Sequence, residues 1–262
     1  MGEVCQFLPI AAILTSSTPI AVAVSYSNLG LSALPSGIPT DIETLDVSEN
    51  GIAEINSDDL EELDALIELN LGYNKLVEFP YLVSVAETLR FLCLRNNKIK
   101  NIPSSHLLIL THLEKLSVVK NKITVFPSIG EFPTLPSPLV ALKTAGYGTN
   151  NITQIDIGNF QKIASGNLSY IGLGKSEIAH FHMPCDFAEG MRIYLGNVSH
   201  VTCNKQMAWM LTNRVNVTGL CDQPEQLKGR SIHSLTYRDI DIYAGKERII
   251  FKNLIYQNPN FR

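Results

Sequence analysis

Apolar residues recur along this chain at fixed offsets. Ile42, Leu45, Val47, Asn50, Ile52 and Ile55 set the frame. The same offsets return as Leu66, Leu69, Leu71, Asn74, Leu76 and Phe79, then as Leu89, Leu92, Leu94, Asn97, Ile99 and Ile102. A fourth copy reads Leu113, Leu116, Val118, Asn121, Ile123 and Phe126. The fifth is looser, with Leu142, Ala145, Tyr147, Asn150, Ile152 and Ile155, and the sixth is Leu168, Ile171, Leu173, Ser176, Ile178 and Phe181. Start-to-start spacings are 24, 23, 24, 29 and 26 residues.

Each position has its own physical reading. The central apolar pair alternates with period two, which predicts a short strand with one buried face. Strands at equivalent places in successive copies then pair into a parallel sheet. The Asn offers an acceptor and two donors where the chain leaves the strand, and Ser176 can supply only part of that bonding. The sixth rung is therefore expected to be weaker. No copy can bury its apolar face alone, so stability must come from stacking, with a lid at either end.

The spacing L-x-x-L-x-L-x-x-N-x-L resembles that of the leucine-rich repeat family, directly over about residues 29 to 181. The resemblance implies an α/β repeat solenoid, a horseshoe with a parallel concave β-sheet and an irregular, 3-10 or short-helical convex side. Residues 42–190 are assigned to the repeats, with a long Pro-rich loop at 127–138. Residues 24–41 form an N-terminal cap in which Val24 and Tyr26 supply a candidate first strand. That cap is degenerate, since Tyr26 stands near where the extracellular members of the family carry a cysteine. Residues 191–262 are assigned to a last strand and a C-terminal cap with its tail.

Cys203, Met207, Trp209, Cys221, Pro224 and Leu227 resemble the cysteine-bearing C-terminal cap of that extracellular class. Its four cysteines pair first to third and second to fourth. Cys203 and Cys221 fit the first and third places, so the resemblance implies a Cys203–Cys221 bridge. Lys205 takes the second place and no cysteine follows Cys221. Two buried thiols in a cytosolic protein are the alternative. Cys93 is expected on the outward face and Cys185 between rungs, as free thiols or small packing residues, and a bridge between the two is not expected across three repeats.

Charge changes the picture. Residues 1–74 hold twelve Asp and Glu and no Lys or Arg, whereas the remaining thirteen acids face twenty-one bases. Such asymmetry can mark an oriented binding surface. The segment from Phe7 to Val24 is apolar apart from a Thr/Ser patch, and Ala21 with Ala23 offers a small-x-small cleavage site. Residues 1–23 are therefore a candidate signal peptide, with a cap segment as the alternative. Four Asn-x-Ser/Thr sequons, at Asn151, Asn167, Asn197 and Asn216, are glycosylation candidates that leave the first four repeats bare.

The candidate functional residues lie between the buried leucines, on the outward face of the sheet. That face runs from acidic at the N-terminal edge to basic in the middle. Tyr73, Arg90, Phe91, Arg95, Lys115 and Lys120 are expected to gather there as a partner site, because aromatic and Arg clusters favour binding hot spots. A solvated sheet face with the partner elsewhere is the alternative. Catalytic signals are weak. His180 and His182 lack a third ligand at metal spacing, and Gly172 and Gly174 fall inside a repeat without the spacing of a phosphate loop. No cofactor, metal or nucleic-acid partner is expected.

The leading reading is a secreted or cell-surface protein-binding module acting in adhesion, matrix or immune-type recognition. A receptor ectodomain whose anchor lies outside this chain, a structural matrix or glycan-binding component, and a cytosolic scaffold are the alternatives.

Overall fold

In the computed structural model, the described residues are 22–125, 127, 139–156, 168–178, 180–182, 192–204, 207 and 216–241. Residues 1–21, most of the Pro-rich loop, Asn167, Cys185 and Trp209 fall outside them, so the readings placed there concern undescribed residues.

Twelve strands are described: β1 (Ala23–Ser25), β2 (Thr44–Asp46), β3 (Glu68–Asn70), β4 (Phe91–Cys93), β5 (Lys115–Ser117), β6 (Thr144–Gly146), β7 (Gln154–Asp156), β8 (Tyr170–Gly172), β9 (Glu177–Ile178), β10 (His180–His182), β11 (Arg192–Thr202) and β12 (Asn216–Gln223). Ten of them form one sheet in the order β1-β2-β3-β4-β5-β6-β8-β11-β12, with β9 joined to β11. Every pairing is parallel, so each repeat adds one rung to a solenoid. Strands β7 and β10 pair separately.

The register is that of the repeat. Val24, Leu45, Leu69, Leu92, Leu116, Ala145, Ile171, Ile193 and Val217 stand opposite one another across successive strands. From Leu45 to Val217 these residues are buried, and they run through one continuous core. Val24 does stand in a first strand, as the sequence suggested. Beyond the sixth repeat, β11 and β12 continue the stack without a ladder Asn. In the fifth rung Ala145 and Tyr147 replace two leucines, a small residue beside a large one, and both are fully buried.

The opposite side of the repeats is built from short pieces. Ser57–Leu60 and Val83–Val85 are 3-10 turns, and Ser104–Leu108 is a five-residue α-helix. Leu60, Val85 and Leu107 turn inward from them and close the core.

The ladder Asn residues tie one repeat to the next. Asn74 accepts from the Ile52 amide and donates to the carbonyls of Val47 and Leu71. Asn97 repeats this with Leu76, Leu71 and Leu94; Asn121 with Ile99, Leu94 and Val118; Asn150 with Ile123, Val118 and Tyr147. Each Asn thus satisfies buried backbone groups that would otherwise cost about 1–3 kcal/mol apiece. Ser176 does not: its hydroxyl is buried and makes no hydrogen bond. The sixth rung is the gap in the ladder.

At the C-terminal end Cys203 and Cys221 are disulfide-bonded, with Cα atoms 5.6 Å apart. Cys221 also pairs through its backbone with Arg230 and Gly229, and Leu227, Ile232 and Leu235 close over this end of the core. Cys93 keeps its place in the outward register of the sheet, but its reading as a free thiol is corrected. Its side chain is buried and disulfide-bonded, so it is no exposed thiol.

Candidate partner-binding face

The outward residues fall into rows fixed by register. The first row follows the strand starts: Thr44, Glu68, Phe91, Lys115, Thr144, Tyr170 and Arg192. The second holds Asp46, Asn70, Cys93, Ser117, Gly146 and Gly172. Beyond the strand ends lies a rim. There the backbone turns through a left-handed residue in every repeat, at Glu49, Tyr73, Asn96, Lys120, Thr149 and Lys175, with φ between 56° and 63°. Asn28 does the same in the cap, at φ 57°. In this conformation the rim residues donate to the next repeat, as Tyr73 N–H does to Arg95 and Lys120 N–H to Gly148.

The six residues singled out by sequence divide between these places. Phe91 and Lys115 are neighbours in the first row, and the Lys115 ammonium lies 4.7 Å from the Phe91 ring centroid. Arg95 lies on the other side of Cys93, four residues along from Phe91, a separation of roughly 13 Å in a strand. Its guanidinium carbon is 5.7 Å from the ring centroid of Tyr73, on the preceding rung. Tyr73, Phe91 and Arg95 thus do not form one cluster. Among the described residues there are two cation–π pairs, one at each margin of the sheet, and between them lie buried Cys93 and Ser117.

Arg90 is already engaged. Its Nη1 lies 3.1 Å from Glu114, and Lys143 approaches the same carboxylate at 2.7 Å. These residues precede the strands of three successive rungs. The Lys143 hydrogen bond, helped by Arg90, holds the Glu114 carboxyl below the usual range against a smaller opposing effect of burial. Glu68 behaves in the opposite way. Burial beside Phe91 pushes its carboxyl up, and attraction from Lys115 offsets part of that rise. No ion pair is made by Arg95 or Lys120 among the described residues.

Two sequons can be placed with their side chains. Asn151 is exposed just past the ladder of the fifth repeat, and Asn216 is exposed at the start of β12. Asn197 lies within β11. Among the described residues, no group of His, Cys, Asp and Glu could hold a metal, and no helix is long and apolar enough to cross a membrane.

No protein-family profile matches the chain. It is 33% identical over 149 residues to the leucine-rich repeats and immunoglobulin-like domains protein 1 of Homo sapiens, a match covering 57% of this chain and 13% of that protein. Tsukushi of Xenopus tropicalis is 34% identical over 140 residues, covering 52% of this chain and 38% of the relative. Biglycan of Sus scrofa is 30% identical over 184 residues, covering 55% of this chain and 68% of the relative. Against the first of these relatives, the chain accounts for a small part of the length. Among solved structures, the glycosylated Toll–Spatzle complex of Drosophila aligns over 82% of this chain and 32% of that chain, with TM-score 0.65 and 20% identity. A leucine-rich repeat protein of Leptospira interrogans aligns over 68% of this chain and 43% of that chain, with TM-score 0.53. With its repeat register, its Asn ladder and these relatives together, the chain belongs to the leucine-rich repeat family.

Proposed function

We propose that this chain is a protein-binding module of a secreted or cell-surface protein, acting in adhesion, matrix or immune-type recognition through the concave sheet of repeats two to four. One observation carries the reading. Tyr73 is exposed at the rim with the Arg95 guanidinium beside it, and Lys120 projects from the same rim two rungs on. Aromatic rings and Arg held rigid on a scaffold are the usual anchors of protein interfaces. Phe91 and Lys115 offer a second anchor at the opposite margin. The sequons fall at Asn151 and later, which leaves this region clear of any glycan they carry.

The relatives support the extracellular setting. Toll, in the solved complex of similar fold, is bound to another protein, Spatzle. The role inferred here is recognition and not catalysis. The test is affinity capture from extracellular fluid by the wild-type protein and by an Arg95→Glu, Lys120→Glu variant. The reading predicts a partner retained by the first and lost by the second. A partner held equally by both overturns it. Glycosidase treatment of protein from the medium, with a mobility shift as the expected result, tests the secreted setting.

A further inference from the structure

We infer that the rim of repeats two to four receives a short acidic polypeptide segment, with an apolar side chain on Tyr73 and carboxylates on Arg95 and Lys120. The inference rests on the concave-face reading above and names the chemistry of the partner.

The rim is a column of side chains in one backbone state. Tyr73, Asn96 and Lys120 have φ of 56°, 57° and 57°, and all three are exposed. Equal backbone geometry on neighbouring strands sets them at about the strand spacing of 4.8 Å, so Tyr73 and Lys120 are roughly 10 Å apart. An extended peptide repeats its same-side residues every 7 Å or so, and three to four residues therefore reach from the ring to the ammonium. Because the αL turns are fixed by hydrogen bonds to the next repeat, little is lost in ordering the rim on binding.

Charge selects the partner. Arg95 and Lys120 have no carboxylate partner among the described residues, whereas Arg90 and Lys143 spend theirs on Glu114. The guanidinium of Arg95 is half-buried against Tyr73, and its Nε is buried without an acceptor. The fork is thus held in place with donors unspent, the arrangement suited to a planar carboxylate.

The same column argues for a short segment over a long polyanion. Glu49 precedes Tyr73 on the rim at φ 58°, about one strand spacing away, and Asp46 and Glu43 share its rung. A sulfated polysaccharide running along the rim meets these acids, while a segment with its carboxylates at one end avoids them. The rim therefore also sets direction, with the apolar residue toward repeat two and the acids toward repeat four.

The test uses the full chain and a labelled eight-residue peptide carrying one leucine followed by three glutamates, read by fluorescence anisotropy. Binding should weaken as salt rises. Arg95→Gln and Lys120→Gln should each weaken it at least fivefold, and Lys122→Gln, an exposed cation off the rim, should leave it unchanged. Circular dichroism checks that Arg95→Gln folds, and Lys120→Gln provides the same test at a fully exposed position. Absence of peptide binding, binding indifferent to both variants, or a heparin octasaccharide that binds more tightly through the same two residues overturns the inference. If the captured partner needs Arg95 and Lys120 but the peptide fails to compete with it, the acidic segment is wrong and the face reading stands. If the captured partner needs neither, the face reading itself fails.

Discussion

Lys115 places its ammonium 4.7 Å from the centroid of the Phe91 ring on the adjacent strand, and both stand in one row with Glu68. The ring thus separates a cation from a carboxylate two strands away. Attraction across it is too weak to offset the burial of Glu68, whose carboxyl is raised from its usual value. Raising an acid's pKa in the folded state makes its ionised form a net cost. That cost is absent when pH lies below the unfolded value and appears as pH rises through the folded one. Glu68→Gln should therefore match the wild type near pH 3 and exceed it at pH 7. With half the group solvated, the gain is roughly 0.5 kcal/mol or less. Thermal melts of both proteins across that range check the sign, and a variant less stable at pH 7 would show that attraction from Lys115 outweighs burial.

The Cys203–Cys221 bridge closes a loop across the end of the core, with a sequence separation of 18. A loop of that size constrains the unfolded chain by about 3 kcal/mol. A Cys203→Ser, Cys221→Ser variant should lose about that much in chemical denaturation. The loss should concentrate in β11, β12 and the turns after them, because stacked repeats couple mainly to their neighbours. Hydrogen exchange resolved along the chain checks the location. Uniform loss of protection from β1 onward would contradict it.

The core of this fold was legible in the sequence because period and geometry coincide there. Leu45, Leu69, Leu92 and Leu116 recur at nearly constant spacing, and they stand opposite one another in the sheet. The Asn ladder was legible for the same reason. The rim was not. Its left-handed positions hold Glu49, Tyr73, Asn96, Lys120, Thr149 and Lys175, five residue types in six positions. The conformation is imposed by hydrogen bonds to the next repeat, so no glycine marks it. Strand β12 was hidden because neither it nor β11 carries an Asn signature. Of the candidate site, the residues facing outward were foreseeable, but their partners were not. Glu114 meets Arg90 and Lys143 across 24 and 29 residues of sequence, contacts that only the register brings about. Cys93 shows the same limit, because alternation alone placed it facing outward and says nothing of what it bonds.

Thr149 stands at φ 57°, where a β-branched residue is strained. Its amide donates to Gly174, a bond that glycine can also make. Thr149→Gly relieves about 1–2 kcal/mol of steric cost and restores about 0.5–1 kcal/mol of unfolded-chain entropy. The net expectation is stabilisation of about 0.5 kcal/mol. The same change at Thr144, in extended strand β6, should destabilise, since glycine weakens a strand interior. Denaturant midpoints of the two variants should therefore move in opposite directions. Movement in the same direction would show that side-chain packing, and not backbone conformation, governs position 149.

Ser176 occupies the ladder position of the sixth repeat with its hydroxyl buried and unbonded. In the repeat before it, Asn150 accepts from Ile123 N–H and donates to the carbonyls of Val118 and Tyr147. Shifted by one rung, position 176 faces the Ile152 amide and the carbonyls of Tyr147 and Leu173. Ser176→Asn can therefore restore an acceptor and two donors. Each net hydrogen bond contributes about 1 kcal/mol. The added amide must fit where Ser176 is 1% exposed, and crowding in a full core costs about 1–3 kcal/mol. Asn150, at 5% exposure, shows that a rung of this solenoid admits the amide, so a net gain of about 1 kcal/mol is expected. The reverse change, Asn150→Ser, should cost about 1–3 kcal/mol by leaving buried backbone groups unpaired. Urea melts of both variants, with slower hydrogen exchange at the Ile152 amide in Ser176→Asn, check the pair. Destabilisation by both substitutions would mean that the sixth rung has closed around serine and no longer has room for the ladder.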